Sequence, residues 1–330
     1  MNREQHRSFM PSNTPLVSVC IAAYNVEKYI DETIASVLTQ TYSPIELIIV
    51  NDGSTDGTAE VLRKYEKEER IRIINSDNKG PCGASNLAFH HSKGDYIKFF
   101  DADDVLNECH IEAQMAVLQG NPDCIAAGQV RRFYNDDLST ALVEPLATWQ
   151  DLDPMDWLLI DNGKGLGMMP AWLFLIPRSL LEKAGIWDEE LSLICDFEFL
   201  PRVVLQARKV LFAGKAEIFY RSGMTGSMSN RQTREKLISA FKALEKTDAL
   251  LLQHEDSPRV RAALSVFWHL WAYAFFLDAP VLYKKTRQHL KQLGNYPNVY
   301  FDNAPGKLRR LLGWKNYKRI KAVLQKLKSK

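Results

Sequence analysis

Three short apolar runs, each closed by a polar corner and separated by stretches of helical periodicity, limit the folds open to this chain more than any other feature. The first, from Val17 to Asn25, reads as a buried strand that stops at a polar corner, and a helical pattern comes next from about Ile30 to Gln40. The second, Glu46-Leu47-Ile48-Ile49-Val50, is rich in β-branched residues and ends in the glycine-punctuated loop from Asn51 to Thr58. A helix from about Thr58 to Glu68 then leads to a third strand, Ile71 to Asn75. Strands that alternate with helices form a parallel sheet, whose ligands sit outside the carboxyl ends of the strands. Asn25, Asp52 and the residues at the end of the next strand are therefore expected on one rim.

That next strand ends in an acidic run. Phe99-Phe100 reads as the end of a buried strand, and Asp101-Ala102-Asp103-Asp104 then places three carboxylates within four positions. Carboxylates this close repel one another at neutral pH, and a hard divalent cation that also binds phosphate oxygens satisfies them. Taken alone the run also reads as a solvated turn.

The segments VSVCIAAYNVEKYIDETIASVLTQTY (17–42), IELIIVNDGSTDGT (45–58) and GDYIKFFDADD (94–104), in that order and at those separations, resemble the family 2 glycosyltransferases of GT-A fold. The resemblance covers residues 15 to 225. It implies an α/β fold, a Rossmann-like and mostly parallel sheet flanked by helices, followed by a helical extension. It also implies a nucleotide-sugar donor, with UDP as the expected carrier, and a divalent metal, Mn²⁺ or Mg²⁺, which oxygen ligands alone do not tell apart. Asp101, Asp103 and Asp104 are then the metal candidates. Ala22, Tyr24, Asn25, Asp52, Lys79, Asn86, Asp101 and Arg221 are the donor-nucleotide candidates. Asp52 has a second reading, an Asx-turn that only shapes its loop. Asp56 reads as a helix N-terminal residue with Thr58 as the cap. The stretch from Asp77 to Asn86 is expected to precede a helix and to bring Lys79 or backbone N–H groups to the diphosphate. Ser85 stands where relatives often carry an Arg.

The resemblance places the catalytic base at Asp196, in Cys195-Asp196-Phe197-Glu198, and implies transfer with inversion. A carboxylate at a helix N-terminus is held ionised by the helix dipole and can accept a proton at neutral pH. Asp196 also reads as an N-cap. Cys195 occupies the first place of what is an acidic pair in relatives, and Asp188 reads as structural. In the stretch from Phe219 to Ser229 relatives often show an Arg and then a His, but no His occurs here between His110 and His254. Arg221 has two readings, a diphosphate contact and a surface partner of an acidic side chain. Specificity loops are expected between Phe133 and Trp172, where Gly163 to Gly167 suggests mobility.

Two other function classes share parts of this pattern. A nucleotidyltransferase would show a glycine-rich, basic loop after its first strand, and Ala22-Ala23-Tyr24-Asn25 is not one. A catalytically silent nucleotide-sugar binding protein is compatible with Ser85, Cys195 and the missing histidine.

The chain has 330 residues, 46% of them hydrophobic and 25% charged, enough for a full core. Its five cysteines form no CxxC pair, which favours a reducing compartment over a disulfide frame or zinc site. Residues 1 to 15 lack the apolar core of a signal peptide, so a cytoplasmic enzyme is expected. The net charge of +2 hides a division: residues 283 to 330 hold 14 Lys and Arg against one acidic residue, Asp302, a net of +13, and the rest carries −11. Leu308, Leu311, Leu312, Trp314, Ile320, Val323, Leu324 and Leu327 lie among those charges, a pattern for amphipathic helices on an anionic membrane surface. No nucleic-acid motif accompanies the basic residues, so no nucleic acid is expected as a partner. The aromatic run Val266 to Leu282 reads as a packed helix, too short and broken to span a membrane. The expected acceptor is a saccharide or a lipid-linked molecule offering a hydroxyl. The expected organisation is a flexible start (1–14), a GT-A catalytic domain (15–230) and a helical, basic region (231–330).

Overall fold

A computed structural model of the protein describes residues 14–143, 145–160, 170–223, 233–294, 296–297 and 307–328. The polar start, the Gly163 to Gly167 loop, the stretch Met224 to Ser229 and residues 298–306 of the basic region lie outside the described residues. The chain forms two compact units, one drawn from Met1–Glu144, Ala171–Ile186 and Leu211–Gly223, the other from Pro145–Pro170, Trp187–Val210 and Met224–Lys330.

The first unit is built on a sheet. Strands β1 (Val17–Ala23), β2 (Ile45–Asp52), β3 (Ile71–Ser76) and β4 (Tyr96–Asp101) run parallel in the order β3-β2-β1-β4. Val17, Val19, Ile21 and Ala23 alternate with buried Ser18 and Cys20, so β1 is covered on both faces, as a central parallel strand must be. Helix α1 (Ile30–Leu38) buries Ile30, Ile34 and Val37, one stripe at helical spacing. Helix α2 (Thr58–Arg63) stops five residues short of the expected Glu68. The chain tightens there into i→i+3 bonds, Lys64 to Val61, Tyr65 to Leu62 and Glu68 to Tyr65. Gly57, not Thr58, stands at the N-cap of α2, and the residue before it, Asp56, accepts through Oδ1 from the backbone N–H and the hydroxyl of Thr58 at 3.0 and 2.6 Å. Helix α3 (Gly80–His91) begins earlier than expected, so Pro81 to Asn86 form its first turns; Pro81 suits a first turn because its missing N–H would find no partner there.

Antiparallel strands continue the sheet beyond β4. They are β5 (Val105–Leu106), β6 (Ile125–Tyr134), β7 (Asp137–Val143), β8 (Phe174–Pro177) and β9 (Val210–Ser222), in the order β8-β6-β9-β5, with β7 paired to β6. Helix α4 (His110–Leu118) packs on β6. Lys98, in the middle of β4, is completely buried; its Nζ donates to the Trp172 carbonyl at 2.7 Å and to Gln114 Oε1 at 3.3 Å. Burial pushes its pKa well below the usual lysine value. Its bonds tie the strand that ends in the acidic run to the short 3₁₀ turn Ala171–Leu173. Helix α6 (Arg178–Ala184) completes this unit.

The second unit is helical: α5 (Pro154–Ile160), α7 (Cys195–Val204), α8 (Arg234–His254), α9 (Pro258–Asp278), α10 (Pro280–Leu293) and α11 (Lys307–Lys328), the last broken at Gly313, whose φ is +70°. Its core is aromatic, with Trp187 stacked on Phe199 at 3.9 Å, Phe197 against Phe267 and Phe241 against Trp268. Thr233 and Ser257 cap α8 and α9. The expectation that the aromatic run is too short to span a membrane is corrected: α9 has 21 residues and is apolar enough to cross one by length and composition. Half of that window is buried, with Phe275, Trp268 and Phe267 among the packed side chains.

Candidate active site

The expected rim is present. Ala22 of β1 lies between Val50 of β2 and Asp101 of β4, so the corner at Tyr24 and Asn25, the carboxylate of Asp52 and the acidic run leave neighbouring strands at the same edge. Ala22 is half-buried, and Tyr24 and Asn25 are exposed. Asn25 has φ of +54°, a left-handed conformation that Asn tolerates better than most residues. Its Oδ1 accepts the Thr55 N–H at 2.7 Å, and its own N–H donates to Ser54 Oγ at 3.1 Å. Gly53 permits the turn after Asp52: its φ is +70° and a Cβ there would lie 3.0 Å from the Asn78 nitrogen. Asp52 is buried, and its Oδ1 accepts the backbone N–H of Lys79 at 2.7 Å and the Ser76 hydroxyl at 3.3 Å. These bonds tie Asp52 to the N-terminus of α3; the side chain that bonds within its own loop is Asn51, whose Oδ1 accepts the Ser54 N–H at 3.3 Å. Lys79 is exposed at the cap of α3, and Asn86 is buried on its second turn.

Asp101, Asp103 and Asp104 bring ligand oxygens within 4.8 Å of one another. Asp101 is exposed, Asp103 half-buried and Asp104 fully buried. Asp104 Oδ1 accepts the backbone N–H of Arg221 at 2.8 Å, whereas its Oδ2 is buried with no hydrogen-bond partner. Burial raises the Asp103 carboxyl pKa above the usual range, against the pull of its backbone N–H and Arg221. Burial, then Asp103 and Asp101, raise that of Asp104 much further. An orphaned buried oxygen beside two more hard oxygen donors fits a divalent cation, with Asp101, Asp103 and Asp104 as the residues that would hold it.

Arg221 is not a surface partner. Only 2% of its side chain is exposed. Its Nε donates to the Asp103 carbonyl at 2.8 Å, Nη1 to Asp136 at 2.8 Å and Nη2 to Glu32 at 2.5 Å. The guanidinium lies 4.6 Å from the ring centroids of both Tyr29 and Phe133. Glu32 comes from α1, and Asp136 from the two-residue turn Asn135-Asp136 between β6 and β7, where both residues have φ of +57°. Neither carboxylate stood out in the sequence; the Asn-Asp pair between apolar runs is the turn signal that would have located the second. Next to Arg221, Tyr220 stacks on Trp172 at 5.5 Å with Arg132 over its ring at 5.0 Å. Burial, then Asp104 and Asp101, push the Tyr220 phenol up to about 12.

Asp196 belongs to the second unit, on the first turn of α7 together with Glu198. It is not the N-cap: that position is Ile194, which offers no side-chain cap and has φ of +52°, strained for a β-branched residue. Glu198 is buried against Arg202 at 2.7 Å. Asp188 accepts the Glu190 N–H at 3.0 Å and pairs with Lys246, the structural part expected of it. A cavity of about 660 Å³ in this unit is lined by Leu152, Leu159, Ile160, Val266 and the Asp156 and Arg259 pair, and by none of the candidate residues.

The sequence profile of the family described as Glycosyl transferase family 2 matches residues 18–183. The putative glycosyltransferase EpsH of Bacillus subtilis is 28% identical over 249 residues, 74% of this chain and 71% of EpsH. The putative teichuronic acid biosynthesis glycosyltransferase TuaG of the same organism is 43% identical over 184 residues, 50% of this chain and 73% of TuaG. Among solved structures, residues 1–349 of S. aureus TarS, in complex with UDP-GlcNAc, superpose with a TM-score of 0.61 at 16% identity, covering 84% of this chain and 92% of that one. That likeness bears on the fold, which is the GT-A arrangement.

Proposed function

The chain belongs to glycosyl transferase family 2, and from that membership we propose that it moves a hexose or related sugar from a nucleotide diphosphate, with UDP as carrier, to an acceptor hydroxyl, inverting the anomeric centre. The observation that carries the reading is the rim where Asp52 and the acidic run leave the two parallel strands on either side of β1, one suited to a base or ribose and the other to a cation and diphosphate. TarS, a structural neighbour, binds UDP-GlcNAc, which favours a UDP-sugar. TuaG, a sequence relative, is assigned to teichuronic acid biosynthesis, which favours a surface polysaccharide or glycolipid setting.

In the proposed reaction the acceptor oxygen bonds to the anomeric carbon as the bond from that carbon to phosphate breaks. The hydroxyl proton goes to the Asp196 carboxylate, and the electron pair leaves with the nucleoside diphosphate. A divalent cation supplies charge neutralisation at the two phosphates when bound. On this reading Asp101, Asp103 and Asp104 hold the cation, Asp52 and the Ala22 to Asn25 corner hold the nucleoside, and Arg221 keeps the acidic loop in place.

The deciding experiment is thermal stabilisation by UDP, GDP and other nucleotides with and without Mn²⁺, beside Asp103→Ala. Stabilisation by UDP that needs Mn²⁺ and disappears in the variant is the expected result. Stabilisation by GDP instead reassigns the donor, and no response to any nucleotide sinks the donor-site reading. If UDP-sugars bind but are neither transferred nor slowly hydrolysed, the chain is a nucleotide-sugar binding protein.

A further inference from the structure

Helix α11 is docked on the second unit by one side. Beyond the break at Gly313, the Trp314 ring sits 5.7 Å from Tyr273 and 5.2 Å from Phe276. Lys318 Nζ donates to the carbonyls of Tyr273 and Ala274, at 2.6 and 3.1 Å, and to Asp278 Oδ2 at 3.3 Å, and so is fastened to the C-terminal end of α9. Arg319 lies over Phe276 and Lys315 over Tyr283. At about 100° per residue these four positions share one side of the helix. On the opposite side Ile320, Val323 and Leu324 are 41%, 58% and 54% exposed. Exposed Lys321 flanks them, and α10 adds exposed Lys284, Lys285, Arg287 and Lys291 to the same helical group.

We propose that this outward side of α11 is a docking surface for an anionic lipid bilayer. Ile320, Val323 and Leu324 enter the boundary between headgroups and acyl chains, and the basic residues meet lipid phosphates. Charge selects this occupant: residues 283 to 330 carry 14 basic residues against one acidic residue. A second copy of the chain on this face would bring like charges together. α9, half of whose apolar window is already buried, supplies the packed support and stays out of the lipid. The proposal is independent of the donor and of the chemistry at the acidic loop.

The test uses the full chain in sedimentation with phosphatidylcholine vesicles, with and without about 30% phosphatidylglycerol. The expected result is binding to the anionic vesicles alone, weakened about tenfold between low and several-fold higher salt. Ile320→Ser with Leu324→Ser, and separately Lys284→Gln with Lys321→Gln, are each expected to reduce that binding about tenfold while leaving the melting temperature unchanged. Binding to neither vesicle, equal binding to both, or wild-type binding by both double variants overturns the proposal. So does lipid-free self-association that disappears in the Ile320→Ser, Leu324→Ser variant, which would make this face a contact between copies.

Discussion

The backbone N–H of Arg221 donates to Oδ1 of Asp104 at 2.8 Å, across 117 positions of sequence. The Arg221 side chain then reaches back to the carbonyl of Asp103, so one residue of β9 holds two consecutive residues of the acidic loop. The geometry is that of a positioning residue, whose guanidinium is fully engaged by Asp103, Asp136 and Glu32. Arg221→Met should therefore cost about 2–3 kcal/mol, less than the usual cost of breaking a fully buried ion pair because Glu32 and Asp136 are half-exposed and screened. Mn²⁺ affinity, read by electron paramagnetic resonance, should fall as well, and Arg221→Lys should restore part of the stability but not the affinity, since an ammonium cannot reproduce the three-way fork. Wild-type Mn²⁺ affinity in a folded Arg221→Met protein would show that the loop holds its own shape.

A second prediction separates two roles of Asp52. Its Oδ1 fixes the N-terminus of α3 through Lys79, and Asn keeps an acceptor oxygen at that place. Asp52→Ala should lose about 1–2 kcal/mol of stability and nucleotide binding together. Asp52→Asn should regain the stability yet bind UDP about tenfold more weakly, because the charged acceptor is gone. If Asp52→Asn binds UDP as the wild type does, the residue only shapes the loop. Calorimetry on the two variants decides it.

Much of this site could be read from sequence because its residues sit where apolar runs stop. Asn25, Asp52 and Asp101 are placed by strand ends alone, and strand ends are marked by hydrophobicity. The end of α2 was not legible, since Lys64, Glu66, Lys67 and Glu68 are good helix formers and only the i→i+3 tightening ends it. Glu32 and Asp136 were invisible as Arg221 partners for another reason. They lie 189 and 85 residues from it, and a pairing over such distances is set by how β9 crosses the sheet. The two-residue strand β5 and the four-residue β8 carry too few side chains for any period to show.

Asp196 is the subject of a third prediction. It stands inside the first turn of α7, one residue after Cys195, while the cap position is taken by strained Ile194. Asp196→Asn should lower turnover about 10²- to 10⁴-fold with little change in donor KM or melting temperature, as loss of a general base does. A lower melting temperature with undiminished turnover would assign Asp196 to helix stability alone. Ile194→Asn, which accepts the left-handed backbone, should hold or raise stability by about 1 kcal/mol, and a fall in turnover beside that gain would show the strain aims Asp196.

The pH dependence of folding should carry the signature of His110. Its ring is fully buried, with Nδ1–H donated to the Glu217 carbonyl at 3.0 Å, and burial, then Lys98, hold its pKa well below the usual value of 6.5. The folded state therefore keeps a neutral ring over a range where the unfolded chain takes up a proton. Stability from this residue is complete above the unfolded pKa and falls as the pH drops, by up to about 1.4 kcal/mol per pH unit, until the depressed folded pKa is reached. His110→Asn keeps a donor near the Nδ1 position and removes the titration. The carboxylates of the acidic loop titrate in both proteins and cancel in the comparison. Urea midpoints at about pH 7.5 and 5.5 should then differ less in the variant than in the wild type. Equal differences in the two proteins would mean that the unfolded and folded states bind this proton alike, and that burial of His110 does not set its charge.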